Sequence, residues 1–448
     1  MDITYLPEIA DTVCAVSTPE GVGGIAVVRV SGSDAISIVD RLFHGRHRLS
    51  ETDGGRLRFG TLLSPEGYAI DEVLCAVFRA PHSFTGEDTV EVSCHGSRYI
   101  AKAILQALIQ VGARMATAGE FTKRAFLNGR LDLSQAEAVA DLIAAESEAE
   151  QHLALSHLRG GVSEEIKSLR ERLLTFTSLI ELELDFADHE DLAFADRQEV
   201  MKLADEIKCK LSALLDSFLL GNAIKHGIPV AIIGPTNAGK STLLNALAGE
   251  DKAIVSAIPG TTRDAIEDTI VIRGVQFRFI DTAGLRTTND EIENIGIQRA
   301  LSAARKAEVV LYVQDLTQAE QPLPPLPEGK RVLKVYNKTD LTEERRDGIC
   351  ISASSGDIGT LKDAIYDAAG LTAVSQSGTI ISSTRHYNAL FRAHNAICKV
   401  QEGLNEELSG ELLALDLHDC LNALGEITGE ITNDEVLQTV CSRFCIGK

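Results

Sequence analysis

Several features that would place a chain outside the ordinary globular class are missing from this sequence. Its 448 residues contain no run of about eighteen apolar residues, so no membrane-spanning helix is predicted. The start MDITYLPEIADT has no basic segment with an apolar stretch behind it, as a secretory signal would have. We therefore expect a cytoplasmic protein that is not bound to a membrane.

Paired cysteines are missing as well. The nine cysteines are an odd number, with no CxxC pair and no Cys/His spacing suited to zinc. A disulfide framework or a structural zinc site would need such spacings. The sequence therefore predicts reduced thiols and no structural metal.

Positive charge is scarce. Lys and Arg total 43 against 65 Asp and Glu, which gives a net charge of −22, and most of the excess lies in residues 119–222 and 376–448. Such a surface repels nucleic-acid phosphates, so a bound RNA would need another protein or a local basic patch. Lys123, Arg124 and Arg130 form one short basic cluster, which we expect to be solvated.

The length and the patterns predict a multidomain α/β chain of about three domains. Residues 1–118 alternate the strand-like runs GIAVVRVS and DTVEVSCHG with the helical KAILQALIQVG, an α+β pattern. TPEGVGG precedes a strand, so it is not a dinucleotide-binding fingerprint. Residues 119–222 and 376–448 read as helices and flank residues 223–375, so we predict a helical domain interrupted by a nucleotide-binding domain.

The helical patterns have readable limits. Ser134 and Glu137 have the spacing of a capping box, and the Ala/Leu-rich pattern after them runs to Leu158. A second pattern covers residues 162–186 and a third covers residues 197–220. The runs RHYNALFRAHNAICKVQEGL and GELLALDLHDCLNALGEI resume this character after the nucleotide-binding segment.

The most informative motif is GPTNAGKS at residues 234–241, which fits the phosphate-loop pattern GxxxxGK[ST]. An apolar run at 228–233 and the helical TLLNALAG supply the strand and helix that such a loop joins. In that geometry backbone N–H groups surround the phosphates, Lys240 reaches the outer ones, and the Ser241 hydroxyl ligates Mg²⁺. We predict a P-loop site within a Ras-like, doubly wound sheet.

Four later motifs follow in the order of a GTP site: Thr262, DTAG at 281–284, NKTD at 337–340 and SAS at 352–354. Asp281 is placed on the Mg²⁺ side, Thr262 completes the metal shell, and the Gly284 amide follows the outermost phosphate. Lys240 and Asp281 are therefore predicted to serve catalysis.

The NKTD motif predicts guanine recognition. The Asp340 carboxylate can accept hydrogen bonds from N1–H and the exocyclic amine of guanine, worth roughly 1.5 to 3 kcal/mol each. Asn337 ties this loop to the phosphate loop, Lys338 packs along the purine, and Ser352 and Ala353 close over the base. The full set of predicted GTP contacts is Asn237, Ala238, Gly239, Lys240, Ser241, Thr242, Ser256, Thr261, Thr262, Asp281, Thr282, Ala283, Gly284, Asn337, Lys338, Asp340, Ser352, Ala353 and Ser354.

These motifs do not identify the residue that orients the attacking water. Leu285 stands where many switch GTPases carry a glutamine, and an apolar side chain cannot orient the attacking water. Glu293 is one candidate for that role. The alternative is that Glu293 is a solvated acidic residue on a loop.

The sequence resembles a known family over essentially its whole length. The resemblance is carried by TPEGVGGIAVVRVSG, PHSFTGEDTVEVSCHG, GEFTKRAFLNGRLDLSQAEAVADLI, GTTRD, DTAGLR and the terminal CIGK. These blocks resemble the tRNA modification GTPases of the MnmE family, also called TrmE. The resemblance implies an N-terminal domain for folate binding and dimerisation (1–118), a helical domain (119–222 and 376–448) and an inserted GTPase domain (223–375).

The resemblance also implies a folate site. Arg29, Glu91 and Arg130 match positions that contact a tetrahydrofolate derivative, 5-formyl- or methylene-tetrahydrofolate, and Lys448 lies at the matching C-terminus. Arg130 falls where relatives carry lysine, which changes the geometry but keeps the cation. Cys445 invites a role as a nucleophile toward uridine, and the alternative is a packed small residue.

The resemblance further implies that GTP hydrolysis is stimulated when two GTPase domains pair around a potassium ion. Asn237 matches the side-chain ligand of K⁺, and Ser256, Ile258 and Thr261 match the loop that completes its shell. Ser256 and Pro259 depart from the usual loop sequence. Glu293 matches the glutamate that orients water.

The implied activity is part of a larger assembly. The resemblance implies that a homodimer of this chain joins a flavin-dependent MnmG-type partner in a heterotetramer that modifies C5 of the wobble uridine of tRNA, with the tRNA bound largely through the partner. The sequence leaves one alternative function open, a switch GTPase that assists assembly of ribosomes or other complexes. Folate binding separates the two.

Overall fold

The computed structural model describes residues 11–19, 21–185, 197–250, 268–280, 302–327, 329–370, 378–406, 408–431, 439–440, 444 and 447. These residues belong to two compact units. One comprises residues up to 140 with 157–181 and 417–448, and the other comprises 141–156 and 182–416. Within the described ranges, the helices are too short or too polar to cross a membrane.

The strands fall into two sheets, one in each unit. In chain order they are β1 (Val13–Val16), β2 (Ile25–Ser31), β3 (Phe43–Gly45), β4 (Arg56–Leu63), β5 (Ala69–Phe78), β6 (Thr89–His95), β7 (Arg114–Met115), β8 (Ile228–Ile233), β9 (Asp268–Ile272), β10 (Val275–Phe279), β11 (Val309–Asp315), β12 (Arg331–Asn337) and β13 (Ile349–Cys350).

The helices used below flank these sheets or pack with one another. In chain order they are α1 (Ala35–Leu42), α2 (Arg98–Gln110), α3 (Glu120–Leu127), α4 (Leu133–Ala144), α5 (Glu148–Leu158), α6 (Gly161–Asp185), α7 (Arg197–His226), α8 (Lys240–Glu250), α9 (Gly359–Ala368), α10 (Thr384–Asn405) and α11 (Gly410–Thr428).

The sheet of the first unit has seven strands in the order β3-β4-β5-β6-β2-β1-β7. All neighbours are antiparallel except β1 and β7. Side chains alternate between its faces, so Val28, Val73 and Val92 join one core, together with Ile38 of α1 and Leu108 of α2. The α+β pattern predicted for this segment is therefore present.

The opposite face of this sheet is open on its outer strands. Leu57 and Phe59 of β4 are 63% and 64% exposed, and Leu74 of β5, the register partner of Phe59, is 45% exposed. Toward β1 the same sheet is covered, because Val13, Ala15 and Phe121 form a separate small core there. One sheet face thus carries both a covered and an uncovered apolar region.

The sheet of the second unit has six strands in the order β13-β12-β11-β8-β10-β9. It is parallel except for the β9–β10 hairpin. Every residue of β11 is buried, as expected for a strand covered on both faces. The carboxyl ends of β8, β10, β11 and β12 therefore lie along one edge, where ligands bind in open α/β sheets.

The first predicted helix is in fact two helices, and its predicted capping box is wrong. Asp132 and Gln135 form the box: Gln135 N donates to Asp132 Oδ1 at 2.8 Å, and Asp132 N donates to Gln135 Oε1 at 3.0 Å. Ser134 lies within α4, where its hydroxyl is buried without a hydrogen-bond partner among the described residues. Ser147 caps the start of α5, because its Oγ atom accepts a hydrogen bond from the Glu150 amide at 3.3 Å, and this cap separates α5 from α4.

The other helical predictions agree with the structure within a few residues, although α7 continues to His226 rather than ending at residue 220. Helices α7 and α10 pair closely. Lys208 Nζ donates to Gln401 Oε1 at 2.9 Å. Gly221 lets the backbone approach, because a Cβ atom there would lie 2.1 Å from the Ile381 carbonyl oxygen.

Candidate functional site

The phosphate loop connects β8 to α8 as predicted. Gly234 has φ +146° and Gly239 has φ +86°, and a Cβ atom on either would collide with a neighbour. Asn237 is one of the few residues other than glycine in the left-handed region among those described, with φ +61°. Glycine and asparagine tolerate such backbone angles best, which explains their places in the loop.

Lys240 bends back over this loop. Its Nζ atom donates hydrogen bonds to the carbonyl oxygens of Gly234 at 2.9 Å and Pro235 at 2.6 Å. Burial lowers the pKa of this lysine below its usual range. The ammonium group is therefore held in the loop by neutral acceptors, at the place where a phosphate would supply negative charge.

Asn337, which ends β12, joins the phosphate loop to the loop that is predicted to read guanine. Its Nδ2 atom donates to the Ala238 carbonyl oxygen at 3.0 Å, and its Oδ1 atom accepts from the amides of Lys338 at 2.9 Å and Ala353 at 3.0 Å. The residue is 3% exposed. One side chain thus links three predicted GTP-contacting segments.

The Asp340 carboxylate is oriented by two serines. Ser352 Oγ donates to Asp340 Oδ1 at 2.6 Å, and Ser354 Oγ lies 3.3 Å from Asp340 Oδ2. The Ser352 hydrogen bond is the main cause that lowers the pKa of Asp340 below its usual range. The group is exposed and anionic, so both oxygens keep lone pairs for the N1–H and amine of a guanine.

Lys338 follows Asn337 in the chain, and an ion pair holds its ammonium group. Its Nζ atom lies 2.6 Å from Oδ2 of Asp315, the last residue of β11. Lys338 has φ +72°, and its side chain is 30% exposed. Asp315 was not among the predicted site residues. The only sequence signal for it is a charged residue at the carboxyl end of a buried strand.

Ser241 and Thr242 lie exposed in the first turn of α8, where a hydroxyl ligand for Mg²⁺ is expected. The amide of Ile280, next to Asp281, donates to the Val230 carbonyl oxygen at 2.9 Å, which brings the chain to the phosphate-loop edge. These residues fit a Mg²⁺ site as far as they are described. The predicted residues Ser256, Ile258, Thr261, Thr262, Asp281, Thr282, Ala283, Gly284, Glu293, Cys445 and Lys448 lie outside the described ranges.

In the first unit, Arg29 and Glu91 form a pair on neighbouring strands. Arg29 Nη2 and Nε lie 2.8 and 3.0 Å from Glu91 Oε1. The Arg29 guanidinium also lies over the rings of Phe84 and Phe121, 5.0 and 5.4 Å from their centroids. These contacts hold a carboxylate and a guanidinium beside an aromatic surface, and Glu91 stays 29% exposed.

Arg130 lies on the adjoining loop. It is exposed, and its Nε atom donates to the Ser83 carbonyl oxygen at 3.1 Å, next to Phe84 in the chain. Arg130 contacts Ser83 and Arg29 contacts Phe84, so two successive residues connect the two arginines. The predicted folate residues that are described therefore belong to one region of the first unit.

The expectation of a solvated basic cluster is wrong for Arg124. This residue is 1% exposed and forms ion pairs with Asp11, Glu87 and Glu120 at 2.6, 3.0 and 3.0 Å. Arg114 adds a second guanidinium, 2.6 Å from Glu120. The basic residues of helix α3 gave no signal for Asp11 and Glu87, because these two partners come from distant parts of the chain, whereas Glu120 lies one turn earlier on the same helix.

Gly447 lies against the first unit. Ser17 Oγ donates to its carbonyl oxygen at 2.9 Å, and a Cβ atom at Gly447 would lie 2.0 Å from the Val16 carbonyl oxygen. With φ +107°, the position requires glycine for both reasons. The penultimate residue therefore lies beside β1, in the unit that carries Arg29 and Glu91.

Two family descriptions match this chain: "MnmE helical domain" over residues 133–445 and "GTP-binding protein TrmE N-terminus" over residues 12–130. A relative from Parabacteroides distasonis, named tRNA modification GTPase MnmE, is 52% identical across 98% of this chain and 100% of its own length. A relative of that name from Bacteroides thetaiotaomicron is 50% identical across 98% and 99%. A solved GTP-binding protein from Sulfolobus solfataricus in complex with GDP shares 18% identity across 46% of this chain and 67% of its own, with a TM-score of 0.23, too low to support an argument.

The six-stranded sheet, its phosphate loop and the Asn337–Asp340 loop define a P-loop GTPase domain, accompanied by an α+β domain and long helices. The predicted fold class is confirmed. The chain belongs to the MnmE family of tRNA modification GTPases.

Proposed function

We propose that this protein hydrolyses GTP as one subunit of a complex that modifies C5 of the wobble uridine of tRNA, with a folate as one-carbon donor. The observation that carries the GTP part of the proposal is the Asn337 side chain, which joins the phosphate loop to the loop proposed to read guanine, and the membership of the MnmE family supports the tRNA part. Its Nδ2 atom makes one hydrogen bond and its Oδ1 atom accepts two, all with backbone groups of the protein. The site is therefore assembled for guanine before any nucleotide arrives.

Selection of GTP over ATP follows from Asp340. A charged acceptor held by Ser352 and Ser354 matches the two donors on the guanine edge. Adenine presents an acceptor at N1, which would face the carboxylate without a proton between them. Leaving such groups unpaired costs about 1 to 3 kcal/mol each, so a preference of at least tenfold is expected.

Stimulation by K⁺ is part of the proposal and centres on Asn237. This residue is exposed at the tip of the phosphate loop, and its left-handed backbone keeps it there. Amide oxygens are suitable ligands for a hard cation, and a cation beside the phosphates would stabilise the charge that develops during hydrolysis. Glu293 is proposed to orient the attacking water.

Folate binding is proposed for the region of Arg29, Glu91 and Arg130. Glu91 offers a carboxylate to the N–H edge of a pterin, and Arg29 holds that carboxylate in place from one side. Phe84 supplies an aromatic surface beside them. Arg130 is exposed and can meet the anionic glutamate tail, together with the proposed contribution of Lys448.

The proposed homodimer is supported by the open sheet face. Leu57, Phe59 and Leu74 are large apolar side chains on adjacent strands and are about half to two-thirds exposed. Contiguous exposed apolar surface of this kind marks protein contacts. The excess of negative charge on this chain repels the phosphates of tRNA. A flavin-dependent MnmG-type partner is therefore proposed to bind most of the tRNA.

The first test compares GTP hydrolysis in K⁺ and in Na⁺ at equal ionic strength. Asn237→Gly is the informative variant, because glycine keeps the left-handed backbone and removes only the side chain. We expect faster hydrolysis in K⁺ for the native protein and equal, slow rates for the variant, with GDP affinity preserved. Equal slow rates for the native protein in both salts would contradict the K⁺ mechanism.

The second test measures the wobble-uridine modification of tRNA directly. Cells lacking this gene are complemented with the native protein, Glu91→Gln, or the matched control Glu72→Gln, an exposed glutamate on β5 of the same sheet. Mass spectrometry of tRNA is expected to show wobble-uridine modification with the native protein and the control, and its loss with Glu91→Gln. Binding of 5-formyl-tetrahydrofolate by calorimetry should follow the same order. Intact modification without this gene would point to the assembly GTPase instead.

A further inference from the structure

Asp315 lies beneath the guanine-reading loop without belonging to any nucleotide-binding motif. It is 7% exposed at the carboxyl end of β11, in register with Asn337 on the parallel strand β12. Its Oδ2 atom is 2.6 Å from the Nζ atom of Lys338, the residue that directly follows β12. Because the carboxylate is buried, loss of its lysine partner would leave an uncompensated charge, which costs more than the loss of an exposed pair.

The carboxylate is fixed from its other side as well. Asp315 Oδ1 accepts hydrogen bonds from the Thr317 amide at 2.9 Å and the Thr317 hydroxyl at 2.7 Å. Burial acts to raise the pKa of Asp315, but the hydrogen bonds from Lys338 and Thr317 outweigh it and lower the pKa below its usual range. The group is therefore a charged anchor with little freedom to rotate.

Lys338 is fixed at its backbone too. Its φ of +72° is an uncommon angle for a residue with a side chain, and its amide donates to Asn337 Oδ1 at 2.9 Å. A lysine has four flexible methylene groups between backbone and ammonium, and free rotation of those groups would otherwise be lost on binding a ligand. With both ends held, the methylene stem has few conformations left, while 30% of the side chain remains exposed.

We propose that Asp315 is a positioning residue that holds the Lys338 stem as a preformed wall for the purine ring of guanine nucleotides. The proposal rests on guanine-nucleotide binding at this site and adds a residue that does not itself touch the nucleotide. Loss of the anchor frees the stem, and ordering one such side chain on binding weakens affinity by roughly three- to tenfold.

The Lys338 stem would contact the face of the base and not its edge, whereas Asp340 would contact the edge. A methylene stem contacts the ring face, which guanine and hypoxanthine share, whereas only guanine has the exocyclic amine that reaches Asp340. Asp315→Asn should therefore weaken GDP and IDP by the same factor. A change that merely distorted the loop would displace Asp340 as well and would alter the ratio of the two affinities.

The experiment measures Kd for GDP and for IDP with the full-length protein, Asp315→Asn, Lys338→Met and the double variant. Each single variant is expected to weaken both nucleotides roughly three- to tenfold, and the double variant to be no weaker than the worse single. Thr317→Val is the matched control. It removes one hydroxyl but keeps the Thr317 amide bond and the Lys338 pair, so less than a twofold change is expected.

Several results would overturn the proposal: unchanged GDP affinity in Asp315→Asn, a shifted ratio of IDP to GDP affinity, or additive losses in the double variant. If Asp315→Asn does not fold, Lys338→Met still tests the ion pair without altering β11. A native-like affinity of Lys338→Met for GDP would then overturn the proposal. A native protein that bound neither GDP nor IDP would overturn guanine-nucleotide binding itself, and the role of Asp315 with it.

Discussion

The Nδ2 atom of Asn337 lies 3.0 Å from the carbonyl oxygen of Ala238, so the loop proposed to read guanine and the phosphate loop are joined through one buried hydrogen bond. The two residues are about a hundred positions apart in the chain. Their contact exists because β12 and β8 point the same way in one sheet. Recognition of the base and of the phosphates is thereby mechanically connected.

Replacing Asn337 by aspartate should weaken nucleotide binding sharply. The isosteric carboxylate keeps an acceptor for Lys338 N and Ala353 N but turns an oxygen toward the Ala238 carbonyl oxygen. Loss of a buried hydrogen bond with unpaired groups left behind costs about 1 to 3 kcal/mol, or roughly five- to 150-fold in Kd for GDP. Titration with fluorescent GDP measures this Kd. The control is Asn245→Asp, which replaces an exposed asparagine of α8. Equal affinities for both variants would contradict the argument.

Two glycines at opposite ends of α8 should respond oppositely to alanine. Gly239→Ala places a Cβ atom 2.2 Å from Asn337 Nδ2 at a φ of +86°, so the expected result is loss of GDP binding and a cost of at least ~1 kcal/mol in stability. Gly249, within α8, has open space around its Cβ position. Gly249→Ala should leave binding unchanged and raise stability by up to about 1 kcal/mol. GDP titration and thermal melting check both, and native-like binding by Gly239→Ala would refute the clash.

Glu120 should make the first unit sensitive to acid. Burial acts to raise the pKa of Glu120, but hydrogen bonds from Arg114, Thr117 and Arg124 overcome it and lower the pKa from 4.5 to about 2. Because the folded-state pKa is depressed, the stabilisation is present above pH 4.5 and is lost as the pH falls toward 2. The shift corresponds to roughly 3 kcal/mol.

The measurement for Glu120 is thermal melting of the native protein, Glu120→Gln and the control Glu72→Gln between pH 7 and pH 2.5. We expect Glu120→Gln to melt lower at pH 7 and to lose less stability than the native protein between pH 4.5 and pH 2.5. The exposed Glu72 should behave like the native residue. Parallel pH profiles for all three proteins would show that Glu120 does not carry this stabilisation.

The cysteines should differ widely in reactivity. Burial raises the pKa of Cys14 to about 11 and that of Cys420 to about 12, and burial with the charge of Asp40 raises that of Cys75 to about 12. At pH 8 their thiolate fractions are about one in a thousand or lower, whereas Cys209 is exposed. Iodoacetamide should label Cys209 in the native protein and the three buried thiols only after denaturation, as read by peptide mass spectrometry. Rapid native labelling of Cys14 would mean that β1 opens readily.

The sequence predicted the strand before the phosphate loop well because it is a short apolar run tied to a motif. The run at 228–233 is β8. The helix start near Leu133 was misplaced for a specific reason. Both Asp132-x-x-Gln135 and Ser134-x-x-Glu137 fit a capping box, and only the burial of Leu133, Ser134 and Ala136 decides between them.

Side-chain partners were harder to predict than backbone elements. The motif predicts that Lys338 packs along the purine, but its partner Asp315 is 23 positions away and depends on β11 lying next to β12. The same holds for Arg124, whose partners Asp11 and Glu87 lie far from it in the chain. Sheet order determines such pairs, and local patterns carry little information about it.

The pairing of α7 with α10 bears on how the chain folds as it leaves the ribosome. Lys208 of α7 contacts Gln401 of α10, and Ser217 of α7 contacts Ile381 just before α10, so these contacts join residues 193 and 164 positions apart. At about 5 to 20 residues per second, α7 waits roughly ten to forty seconds for its partner helix to emerge. All six strands of the parallel sheet are synthesised within that interval. The sheet can therefore fold first, and its completion brings the two helices together as the closing step of the second unit.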